Sequence, residues 1–172
     1  MKKDIFVQLA YDTIKMFLLE EKIPQIKDTP LEIATKRAAC FVSLKEKDGK
    51  LRGCIGTIRP MYKNLAGEIM ANAIAASQHD PRFEAVKIDE LDDLAITIDV
   101  LSEPEQVFSE DDLDIKRYGL IVQAADGRDG VLLPDIKGVK DIKEQITIAR
   151  EKGGITPEEE IALFRFTVDR HQ

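Results

Sequence analysis

AACFVSLKEKDGKLRGCIGTI, residues 38–58, holds two apolar runs rich in strand formers on either side of Asp48-Gly49. That dipeptide is a strong hairpin signal, so Ala38–Leu44 is expected to pair antiparallel with Leu51–Ile58. The second run is unusual because it carries Arg52, Gly53, Cys54 and Gly56. Glycine weakens a strand interior, and two within four residues mark a bulge or a close approach by another group. Side chains alternate along a strand, so Arg52, Cys54 and Gly56 share a face unless a bulge intervenes.

Outward from this hairpin, the periodicity predicts a helix over Asp4–Lys22, with Phe6, Leu9, Ala10, Ile14, Phe17 and Leu18 on one face. Pro24 and Thr29-Pro30 then form a loop. A second helix is expected from Asn64 to Ser77, stopping before Asp80-Pro81. Leu94–Leu101 alternates as a clear strand. Tyr118–Gln123 and Val131–Leu133 read as another hairpin across ADGRDG. Asp141–Lys152 reads as a helix closed by Gly153-Gly154, a left-handed cap. TPEEE at Thr156 matches a capping box, and the alternation of Phe164, Phe166 and Val168 argues for one helical turn followed by a terminal strand. The order of elements indicates an α+β fold with a mainly antiparallel sheet and flanking helices.

The chain has 172 residues, a net charge of −7 and two cysteines. It is expected to form a single domain, or two sublobes sharing one core, since a chain this long buries roughly 70% of its unfolded surface. The acidic balance excludes a basic nucleic-acid footprint. Interspersed charges argue against a membrane surface, and no apolar run approaches the roughly 20 residues of a bilayer span. Acids at Asp4 and Asp12 interrupt any signal-like segment. A cytoplasmic, reducing location is expected. The residues show no metal-ligand spacing, nucleotide-binding loop or covalent attachment site, so no cofactor is assigned.

Three places carry candidate chemistry. A cation near Cys54 would lower its pKa, and the thiolate is the reactive form. Arg52 is the candidate cation, holding an anionic or carbonyl-bearing small molecule, while Gly53 and Gly56 leave it room. Core packing is the plainer reading of a free cysteine, and it is preferred for Cys40. In SQHDPRF, His79 and Asp80 are candidates for proton transfer and Arg82 for substrate binding. A structural turn is the competing reading, favoured for His79. In LSEPEQV, Ser102 lacks the setting of a nucleophile elbow and stands only as a binding candidate.

The motifs Leu51-Arg52-Gly53-Cys54-Ile55-Gly56 and Asp80-Pro81-Arg82-Phe83, then Leu101-Ser102 with Pro104-Glu105, Tyr118-Gly119-Leu120, Gly130-Val131-Leu132-Leu133-Pro134 and Lys152-Gly153-Gly154-Ile155, resemble the AMMECR family. Bacterial and archaeal members are labelled AmmeMemoRadiSam system protein A. The resemblance implies an α+β fold of two unequal lobes with these motifs near a cleft. It also implies Memo-like and radical S-adenosylmethionine proteins as partners, but no established reaction. Asp99 and Gly153 depart from the pattern. Two functions follow: a thiol-dependent enzyme using Cys54, or a non-catalytic binding or accessory module for those partners. A scaffolding homodimer joined through a strand edge is a weaker third, against a monomer.

Overall fold

The computed structural model describes residues 4–25 and 29–172. It is α+β, with two antiparallel four-stranded sheets among the described residues, and it divides into two compact units. Their element order is α1 (Ile5–Glu20), α2 (Leu31–Thr35), β1 (Cys40–Lys45), β2 (Leu51–Gly56), α3 (Leu65–Gln78), β3 (Ala95–Leu101), β4 (Glu105–Val107), β5 (Gly119–Ala124), β6 (Asp129–Leu132), α4 (Ile142–Lys152), β7 (Ile161–Phe166) and β8 (Val168–His171).

The first unit comprises Met1–Val100 with Asp169–Gln172. Its sheet runs β2-β1-β3-β8. Cys40, Val42 and Leu44 of β1, with Ile96, Ile98 and Val100 of β3, join the apolar faces of α1 and α3 in one buried cluster. Strand alternation therefore turns Phe41, Ser43, Thr97 and Asp99 to the other face. Asp99 is buried and accepts from Arg170 of β8 at 2.6 and 3.1 Å, which gives the strand's one carboxylate a partner. Both helices start on side-chain caps. Asp4 accepts from the amides of Phe6 and Val7, and Asn64 from that of Gly67. The hairpin turn places Gly49 at φ 86°, a left-handed value that suits glycine.

The second unit, Leu101–Val168, has the sheet β4-β7-β5-β6 with α4 packed on β5 and β6 around a separate apolar cluster. Asp141 caps α4, which ends as Gly154 takes φ 62° and Ile155 bonds back to Arg150.

Three local differences from the sequence reading have physical causes. Leu31–Thr35, a stretch for which no element is expected from the sequence, forms a short helix with Pro30 as its N-cap. Thr156–Glu160 does not form a helical turn. The Glu159 carboxylate still accepts from the Thr156 amide at 2.6 Å, so half of a capping box exists without its helix. The terminal strand is two strands, with β7 in the second sheet and β8 in the first. Among the described residues, no helix is long and apolar enough to cross a membrane.

Candidate functional site

The glycines of β2 are answered by packing. A Cβ on Gly53 would lie 2.2 Å from the carbonyl oxygen of Ala76, so α3 seats its backbone directly on this position. A Cβ on Gly56 would lie 2.3 Å from the Phe41 ring, and Phe41 is the cross-strand partner of Gly56. The space beside Gly56 is therefore filled by Phe41, where the sequence reading expected room for a ligand.

Arg52 also departs from simple alternation. Register runs Leu44 to Gly53 and then Lys45 to Leu51, leaving Arg52 as the extra residue of a bulge. Its guanidinium forks onto Glu90 at 2.9 and 3.3 Å and donates to the carbonyls of Glu84 at 2.8 Å and Ala85 at 3.5 Å. The same pairing holds the Glu90 carboxyl below its ordinary range, chiefly through the Arg52 hydrogen bond. Arg52 thus ties down the loop that follows α3.

Cys54 has a different neighbourhood. β2 is an edge strand, which normally leaves a row of unpaired amides and carbonyls. At Cys54 that edge is occupied by side chains. Its N–H donates to Asp80 Oδ2 at 2.9 Å and its carbonyl accepts from Arg82 Nη2 at 3.1 Å. Asp80 and Arg82 are joined by Nε to Oδ1 at 2.9 Å and Nη2 to Oδ2 at 2.7 Å, a two-point fork. Pro81 turns the chain between them, and the Arg82 amide also donates to Asp80. The Arg82 guanidinium lies 5.4 Å from the centre of the Phe83 ring. Asp-Pro-Arg-Phe is thus a side-chain substitute for a neighbouring strand.

With its backbone polar groups facing outward, Cys54 forms the close kind of antiparallel pair with Ser43. The Ser43 hydroxyl donates to Cys54 Sγ at 3.2 Å. Asp80 is almost wholly buried, and the Arg82 hydrogen bond holds its carboxyl well below the usual carboxylate range, with the Cys54 amide adding to the effect. Arg82 is reciprocally raised, first by Asp80 and to a lesser degree by the Cys54 sulfur beside it. Its side chain remains 54% exposed.

The other candidates are placed elsewhere. His79 is exposed at the C-cap of α3, where its amide bonds to Ala75. Asp80 orients Arg82 and the Cys54 amide, and no described hydrogen bond links it to the His79 ring. Ser102 lies in the second unit, where its hydroxyl accepts from the Thr167 amide at 2.9 Å. Cys40 is fully buried, and burial pushes its thiol up to about 12. Among the described residues, no group of three His, Cys, Asp or Glu is arranged to hold a metal.

Sequence reasoning did not pick out Ser43 or Glu90. Hairpin register plus alternation points from Cys54 to Ser43, so that signal was present. Glu90 carries none, because it meets Arg52 across 38 residues of sequence. Glu68, buried within α3, also escapes a periodicity search. Its carboxylate accepts from the amides of Met61 and Tyr62, fixing the segment after β2.

The AMMECR1 family model matches residues 7–171. The chain belongs to the AMMECR1 family. A protein of Thermotoga maritima is 44% identical to it over 169 residues, covering 97% of each chain. Protein CA_C1420 of Clostridium acetobutylicum is also 44% identical, covering 99% of this chain but only 36% of that longer protein. Among solved structures, the crystal structure of uncharacterized protein PH0010 from Pyrococcus horikoshii matches with a TM-score of 0.88 at 30% identity. That match covers 96% of this chain and 88% of the other. This AMMECR1-family chain therefore has close sequence relatives and a solved structure of closely similar fold.

Proposed function

We propose that Cys54 is a positioned, reactive thiol serving a small anionic, carbonyl-bearing molecule. One observation carries this reading. The Asp80–Arg82 fork braces the backbone of Cys54 on both sides while its sulfur accepts from Ser43 and sits beside the Arg82 charge. Holding a group by its backbone and fixing its sulfur with a hydroxyl donor pre-organises the thiol for attack. In this assignment Cys54 is the nucleophile and Arg82 binds the anionic group. Asp80, Gly53 and Arg52 are positioning residues. Arg82 Nη1 makes no hydrogen bond among the described residues and is the donor offered to the ligand. A cytoplasmic, reducing setting would keep the thiol free; both cysteines are unpaired.

A second reading, an accessory module that presents a ligand to Memo-like and radical S-adenosylmethionine proteins, draws on the same geometry. With Asp80 engaged by Arg82 and His79 at the surface, neither is placed to accept the thiol proton. Edge capping at Cys54 argues against scaffolding through this strand.

Intact-mass alkylation kinetics in a Cys40→Ala background separate the readings. Reaction at Cys54 at pH 7 at least tenfold faster than a free cysteine peptide, slowed by Arg82→Ala but not by Arg52→Ala, supports the thiol enzyme. Slow labelling of the folded protein would sink the nucleophile and leave the binding module.

A further inference from the structure

We propose that the second unit carries a binding site of its own for a small monocarboxylate, independent of Cys54. A cavity of about 460 Å³ there is lined by residues of this unit alone, among them Arg117, Tyr118, Arg165, Ser102 and Thr167. That volume falls within the range of small-molecule pockets, roughly 300–1,000 Å³.

The charges in this cavity are unevenly matched. The Tyr118 ring lies near two guanidiniums, Arg165 at 4.6 Å and Arg117 at 5.0 Å from its centre. Arg165 is fully engaged. It donates to Glu105 through Nε at 3.2 Å and Nη2 at 3.1 Å, and through Nη1 to the Asp112 carbonyl at 2.7 Å. Arg117 is exposed, and its guanidinium makes no hydrogen bond or ion pair among the described residues. Two cations against one ring, only one of them neutralised, favour an anion at the second. A planar guanidinium fork matches a carboxylate in two points.

The rest of the cavity sets the size and charge of the guest. Phe166, nearly fully buried, lies over Gly119 and contributes an apolar wall. The Tyr118 carbonyl is held by the buried Gln145 amide at 3.0 Å. Ser102 and Thr167 pin one wall by exchanging two hydrogen bonds at 3.0 and 2.9 Å. Glu103 also lines the cavity, and its charge opposes a dianion. A carboxylate on a short apolar or aromatic body therefore fits better than a phosphate.

The test is a ¹⁵N-NMR titration of the full chain with acetate, benzoate, inorganic phosphate and chloride at matched ionic strength. Saturable shifts at residues 117–118 and 165–167 with a carboxylate are expected. Arg117→Ala should weaken that binding at least tenfold, since a charge-assisted fork is lost. Arg117→Lys should weaken it less. Arg117 is exposed, so both variants should keep the remaining spectrum. The proposal is overturned by the absence of saturation with either carboxylate, by saturation that ignores Arg117→Ala, or by phosphate binding equally well. Cys54 alkylation rates should not change in Arg117→Ala, which keeps this result separate from the thiol reading.

Discussion

The two units solve the same packing problem with the same device. In the first, α3 brings the Ala76 carbonyl against Gly53 and the Phe41 ring lies over Gly56. In the second, α4 brings the Ala149 carbonyl against Gly130, where a Cβ would lie 1.8 Å from it, and the Phe166 ring lies over Gly119. In both, the aromatic residue is the cross-strand partner of the glycine it covers. A feature that recurs in both sheets is architectural. What is peculiar to the first unit is what lies between its two glycines: Cys54, with its backbone braced by Asp80 and Arg82. The chemistry belongs to the thiol and the fork, and the glycines belong to the fold.

The largest expected effect tests the shared device. Phe166 is 1% exposed and Phe41 is half-buried. Phe166→Ala should cost about 4 kcal/mol and Phe41→Ala about half as much, because the second ring gives up less buried contact. Urea unfolding of the two variants checks the order. Equal costs would break the parallel, since the same ring-over-glycine contact would then be insensitive to burial.

Next come the glycines under the helices. At Gly130 and Gly53 an added Cβ meets backbone, which cannot step aside. Alanine at either should cost about 3 kcal/mol. Gly56→Ala meets the root of the Phe41 ring at 2.3 Å and the Cys40 carbonyl oxygen at 2.7 Å, and should cost more than Gly119→Ala, whose nearest neighbours are all outer atoms of the Phe166 ring. Denaturation midpoints of the four variants would rank them.

The contrast between recurrent and peculiar features also explains what could be read from sequence. The α+β class, both hairpins, α3 and α4 follow from period-two and period-3.6 patterns, which act within a few residues. Asp48-Gly49 and Asp80-Pro81 mark their turns for the same local reason. The partner of Arg52 is not local. A bulge of one residue re-aims its side chain to Glu90; the glycines of LRGCIG hint at a bulge, but nothing there says that Arg52 is its extra residue. Gly56 misleads similarly: the sequence shows a missing side chain, but only the register shows that Phe41 fills it. The division of the C-terminus into β7 and β8 was hidden because alternation continues through Thr167 while the chain changes sheets.

A smaller effect tests the fork. Asp80→Asn keeps the shape but removes the charge that Arg82 grips. It should cost about 2 kcal/mol at pH 7, less than for a fully buried pair because Arg82 is half in water. Its pH dependence has a definite sign. The folded pKa of Asp80 lies below its unfolded value of about 3.9, so its contribution is complete above that pH. It is lost as pH falls from about 4 toward the folded value. The stability gap between wild type and Asp80→Asn should therefore be flat from pH 5 to 8 and narrow in acid. A gap that instead narrowed near neutrality would implicate another group.

The smallest effect on stability belongs to Ser43→Ala. Its hydroxyl gives Cys54 Sγ one hydrogen bond, and such a bond contributes about 0.5–1 kcal/mol net. A stability measurement alone would hardly separate this from an ordinary surface change. Alkylation separates it, because the Ser43 hydroxyl holds the Cys54 sulfur in place and its removal should slow labelling of Cys54 severalfold at pH 7. If Ser43→Ala lowers reactivity while barely moving the denaturation midpoint, the face carrying Cys54 is tuned for the thiol. If both are unchanged, Ser43 only fills space, and the first unit differs from the second in its edge capping alone.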